Sequence, residues 1–301
     1  MNLLFSKKGE LQSLVFAALM SAINIIFVAL TNWIVFLVFL LIFILPLGSA
    51  LVSATCKKKY ILVYLIVSFL PCCFINLGDS LFYLMPALLT GVVFGLFINY
   101  KSSTGISLAL GILIQTLLTY LGILIYWGLF HRDITMDIAR LFNLQDFTYF
   151  ELIKHATIFS ISTIQVILCY FVCRNEIKKL QSKTIEISIP SFITPSLSIL
   201  FIALSIGFAF FMYPLGIDFM MMSFVLTIYL LIKELKKQNI FVYIESGVLV
   251  FLTILFVAIF YRMLEFPYSL FLFNIMSVLI VIAFFINNYL LTIPSKDTIN
   301  S

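Results

Sequence analysis

The sequence predicts an all-α integral membrane protein of about ten transmembrane helices with both termini in the cytoplasm. Three observations lead there. Of the 301 residues 63% are hydrophobic and 10% charged, with a mean hydropathy of +1.18, a balance that a soluble domain does not sustain. The apolar residues fall in long runs with polar breaks between them, each long enough or nearly so to cross about 30 Å of hydrocarbon as helix. A barrel would instead alternate polarity over short segments. The charges supply the third observation. With the amino terminus inside, only Arg132, Arg140, Lys154 and Arg262 of the 18 basic residues face outward, and the rest gather in alternate loops.

The runs are 11–30, 33–54, 60–77, 81–99, 104–130, 151–173, 196–214, 217–233, 240–261 and 267–290. Lys7 and Lys8 precede the first, and no small-residue cleavage site follows it, so it is expected to be retained. Ala18 and Ala22 stand one turn apart on one of its faces, and Ala17 and Ser21 repeat the spacing on the next stripe. Small residues at this interval let a second helix backbone come close. The stripe at Ala18 and Ala22 either packs inside this protein's own bundle or receives another polypeptide.

Pro46, Pro71 and Pro86 fall in the second to fourth spans, where each removes a backbone donor, and Gly91 and Gly95 give the fourth a close-approach face. Between the third and fourth spans stands Ile75-Asn76-Leu77-Gly78-Asp79-Ser80, with Gly78 suited to a tight turn. Asn76 and Asp79 either cap this loop or face inward with Tyr83. In the second case Asn32, Trp33, Trp127 and His131 from neighbouring outer loops complete a solute pocket of aromatic walls and convergent polar groups. Asn24, Gln115 and Thr119 are the other inward polar candidates, as hydrogen bonds between helices.

The outer connection 131–150 carries Ile134, Ile138 and Leu141 at helical spacing and predicts a short amphipathic helix. The inner connection holds Arg174, Lys178, Lys179 and Lys183, then Pro190 and Pro195. It divides the chain into a six-helix core at 1–175, a basic linker at 176–195, a four-helix region at 196–292 and a tail at 293–301.

Enzyme chemistry is not expected. His131 and His155 have no neighbouring nucleophile or metal-ligand spacing, and no phosphate-cradling glycine loop occurs. Asp79 with His131 is the one acid–base combination in view, and a lipid transferase built on it lacks a group to tune it. The five cysteines suggest neither a disulfide framework nor a metal site. No cofactor is expected. The excess of positive charge is scattered between apolar spans, so the partner is the bilayer and not nucleic acid.

On these features the first six spans resemble the substrate-capture (S) components of energy-coupling-factor vitamin transporters. The resemblance rests on Ala18-Leu-Met-Ser-Ala22 in the first helix, the inward amino terminus, and the glycine-containing fourth span Met85-Pro-Ala-Leu-Leu-Thr-Gly-Val-Val-Phe-Gly-Leu. Over its full length the chain is similar to the YybS-like family of bacterial membrane proteins. The resemblance implies a bacterial inner-membrane protein that holds a small solute beneath its outer loops. It also implies that Ala18 and Ala22 dock on a transmembrane coupling protein driven by ATPase subunits. The chain departs from S components in its four added spans and basic linker, and no vitamin-contacting residues match. The rod-shape protein MreD uses a similar fold for scaffolding, which makes a scaffold for cell-envelope or division proteins the alternative.

Overall fold

A computed structural model describes residues 9–31, 33–34, 37–99, 104–141, 149–180, 192–235, 247–248, 251, 254 and 268–292. Among the described residues there is no strand, and eight helices are long and apolar enough to cross a membrane. The chain is therefore an all-α, multi-pass membrane protein. It divides into two compact units, the first formed by 1–150 and 157–189, the second by 151–156 and 190–301.

The first unit begins with α1 (Glu10–Thr31), α2 (Leu37–Thr55) and α3 (Lys58–Ile75). Helix α1 is about 33 Å long, enough for the hydrocarbon core. Its buried residues are Ser13, Ala17, Ser21, Asn24, Val28 and Thr31, a stripe of mostly small or polar side chains at helical spacing. Leu11, Val15, Leu19 and Ile26 point outward. Large apolar side chains outside and small polar ones inside invert the pattern of a soluble helix, as expected where the surroundings are hydrocarbon.

Side-chain bonds tie both ends of α1 to α3 and its flanks. Glu10 pairs with Lys57 at 3.3 Å and Lys59 at 2.8 Å at one end. Thr31 Oγ1 donates to Asp79 Oδ2 at 2.9 Å at the other. The start of α1 and the α2–α3 junction thus share one end of the unit, as alternating crossings require.

After α3 the chain reverses at Asn76 and not at Gly78. Asn76 is extended (φ −152°, ψ 103°), and its side-chain oxygen accepts from the Asp79 backbone N–H at 3.1 Å, capping the new helix. The fourth span therefore starts at Leu77, four residues before the hydropathy boundary. It runs through α4 (Leu77–Asp79), a π-helical turn (Ser80–Leu84) and α5 (Met85–Asn99). The turn is seated against α6 (Thr104–Phe130), where Phe82 packs on Tyr126 at 5.7 Å between ring centres and Gly122 leaves room for the Leu81 carbonyl.

Helices α2 and α5 pack in backbone contact. A Cβ on Gly91 would overlap the Pro46 carbonyl oxygen and Ser49 Oγ, and one on Gly95 would overlap the Ala50 carbonyl oxygen and Ser53 Oγ. The close-approach face read from the two glycines is thus used inside the unit. On the other side of α5, Phe94 meets Tyr170 edge-on at 5.4 Å and lies over Gly111 of α6. Helix α7 (Ile134–Leu141) is the short helix expected in the connection 131–150, its first turn held by Thr135 bonds to Asp133. Helix α8 (Phe150–Leu180) runs past the apolar boundary at 173 because Arg174 to Lys179 carry good helix formers without glycine or proline. Of the basic linker, 181–191 lies outside the described residues.

The second unit contains α9 (Ile193–Phe211), α10 (Tyr213–Leu235), a 3-10 turn (Tyr268–Phe273) and α11 (Asn274–Thr292). Met212 alone separates α9 from α10. Pro214 lies in the first turn of α10, where its missing N–H costs nothing. A Cβ on Gly216 would meet Phe271 at 2.9 Å and the Ala209 backbone at 3.0 Å, so all three segments converge there. Further along, Ser223 and Thr227 of α10 both reach Ser277 of α11, at 3.4 and 3.3 Å. Contacts that advance together along both chains make α10 and α11 parallel. The ninth apolar run, 240–261, falls almost entirely outside the described residues.

Candidate functional site

The first helix carries the first candidate surface. Of its two small-residue stripes, Ala17 and Ser21 face the interior, while Ala18 and Ala22 are exposed. The phase is set by polar partners on α3. Asn24 Nδ2 donates to Tyr64 Oη at 2.7 Å, and Ser68 Oγ donates to Ser21 Oγ at 3.0 Å. Tyr64 and Ser68 are wholly buried, so turning α1 to bury Ala18 would strip these groups of their bonds. Beside the exposed alanines runs an open groove of about 500 Å³ lined by Leu11, Gln12, Val15, Phe16 and Leu19.

The second candidate is the polar cluster at the far end of α1. Asp79 Oδ2 accepts from Thr31 Oγ1 at 2.9 Å and from Asn76 Nδ2 at 3.0 Å. Tyr83, four residues further along, is half-buried. The structure thus joins Asn76 and Asp79 to Thr31, a residue that the sequence reading did not single out. The Asn76–Asp79 bonds also cap the loop, so the two roles considered for these residues are not exclusive.

The remaining candidates sit at helix ends. Trp33 is 86% exposed in the turn that closes α1, and Trp127 is 57% exposed in the last turn of α6. Both are placed as interfacial tryptophans commonly are. His131 is exposed and ends α6 in the left-handed region, with φ 52°. Among the described residues no hydrogen bond, ion pair or ring contact ties Trp33, Trp127 or His131 to Asp79. Asn32 lies outside the described residues.

The histidine that does meet a carboxylate is His155, whose Nδ1 is 2.8 Å from Asp218 Oδ2 in the second unit. Their side chains are 15% and 11% exposed. Sixty-three residues separate them, and the only local signal was an acidic residue inside an apolar run. Other polar contacts lie deeper. Gln115 bridges Gln165 at 3.1 Å and Thr90 at 3.0 Å, and Asn274 Nδ2 reaches Ser205 at 3.0 Å. Among the described residues no three His, Cys, Asp or Glu side chains come together as a metal site. No protein-family model, curated protein or solved structure matches this chain.

Proposed function

We propose that this chain is a ten-helix protein of the bacterial inner membrane whose six-helix core captures a small solute and passes it across with a separate ATP-driven coupling module. The observation that carries the reading is the disposition of α1. One small stripe serves the protein's own bundle, and the other, Ala18 and Ala22, remains open. Small residues that face outward give up apolar contact with lipid and fit the close approach of another helix.

The ten-helix count and cytoplasmic termini draw on the alternation of basic loops. The parallel run of α10 and α11 supports them further, since the end of α10 and the start of the 3-10 turn then lie at opposite ends of their unit. On this topology Asp79 and Thr31 lie at the outer face, where a captured solute would first be met.

The docking half is tested with tagged wild type and the Ala18→Trp and Ala22→Trp variants, isolated from their native membrane under mild extraction. Wild type is expected to bring down a membrane protein together with ATPase subunits, and each tryptophan to reduce that recovery about tenfold or more, as loss of a central close-packed contact does. Equal recovery from all three would remove the docking role. Recovery of envelope or division proteins without ATPases would replace transport by scaffolding.

A further inference from the structure

We infer that the solute held at the Thr31–Asn76–Asp79 cluster is a small organic cation whose N–H groups are donated to Asp79 Oδ1. The inference rests on the capture reading above and deepens it. Both donors that reach the carboxylate, the Thr31 hydroxyl and the Asn76 amide, are neutral, and both fall on Oδ2. Oδ1 accepts from none of the described side chains, and no basic residue among them pairs with Asp79.

A half-buried carboxylate at the edge of the hydrocarbon region is costly to keep without a counter-charge. The protein orients this one with the Asn76 amide and with the Thr31 hydroxyl, whose one proton is shared with the Val28 carbonyl at 2.6 Å, and among the described residues it supplies no cation. A negatively charged solute would meet like charge there. A divalent metal would want six or more oxygen ligands, whereas here one carboxylate stands among amide and hydroxyl groups. An ammonium or amidinium group is satisfied by a single carboxylate through short charge-assisted bonds, and Tyr83, four residues on and half-buried, stands at the helical spacing that would offer it an aromatic face. The π-helical turn at Ser80–Leu84, immediately after Asp79, is a local form often found at functional sites.

The test uses the full chain in lipid nanodiscs, with benzamidinium and its uncharged counterpart benzamide as matched probes. Benzamidinium is expected to raise the unfolding midpoint of wild type where benzamide does not. In Asp79→Asn benzamidinium should bind about tenfold more weakly or worse, the scale of losing one charged hydrogen bond. Equal effects of the two probes on wild type, or none, would overturn the inference whatever the variant does. Native mass spectrometry of gently extracted wild type separates this from the capture reading. A retained amine or amidine supports both. A retained neutral or anionic solute overturns the cation and leaves capture standing, and no retained solute counts against both.

Discussion

Gly95→Val is expected to abolish most of the folded protein. In helix α5 the Gly95 Cα stands so close to α2 that even a first side-chain carbon would overlap the Ala50 carbonyl oxygen and Ser53 Oγ. Gly91, one turn earlier, is confined in the same way by Pro46 and Ser49. The obstructing atoms are largely backbone, so no rotamer change can yield the space and the two helices must separate. Overpacking of a core costs about 1–3 kcal/mol and occasionally more. A clash with helix backbone belongs at the top of that range, because parting α2 from α5 also loosens the cluster around Leu45 and Val52 of α2, both wholly buried. Gly128→Ala is the matched control. A Cβ there meets nothing within 4 Å, and the change gains helix propensity of up to about 1 kcal/mol. Thermal unfolding in detergent, followed by the loss of the monodisperse peak, should show Gly95→Val largely lost under conditions in which wild type and Gly128→Ala survive. Wild-type behaviour of Gly95→Val would mean that the helices are not so close.

The helices among the described residues were legible because length and hydropathy set them directly. Both small stripes of α1 could also be seen, but not which one faces inward. Periodicity gives the spacing of side chains around a helix and leaves the rotation of the helix open. That rotation is decided by Tyr64 and Ser68, forty or more residues away, which need Asn24 and Ser21 as partners. Asn24 was recognisable as a polar side chain wanting a partner, although the partner was not. At Asn76 a local rule misled, since Gly78 suggested the turn while the Asn76 side chain caps a helix that begins one residue later. Thr31 escaped notice because a threonine at the end of an apolar run is ordinary, and only the folded α1 brings it to Asp79. The same limit hid Asp218 and His155, each of which alone reads as a stray polar residue near a helix end.

That pair gives the second large effect. His155→Leu and Asp218→Leu are each expected to destabilise the protein by about 3 kcal/mol or more, and the double variant by much less than their sum. Both side chains are nearly covered, and the bond between them, 2.8 Å long, ties residues 151–156 to α10 within the second unit. Replacing the imidazole removes a polar partner from the nearly covered Asp218 carboxylate, and replacing the carboxylate takes one from the nearly covered ring. Each single change therefore incurs a desolvation cost that the double variant avoids, since two leucines can meet across the same gap. Neutral hydrogen bonds between membrane helices average only about 0.6 kcal/mol. The Asn274–Ser205 bond, of similar length at 3.0 Å, is thus the comparison that isolates the effect of charge. Reversible denaturant unfolding of the four members of the cycle measures the coupling. Losses that simply add would show the two side chains to be neighbours without interaction. A coupling no larger than that of Asn274 with Ser205 would show that the His155–Asp218 contact behaves as a neutral hydrogen bond.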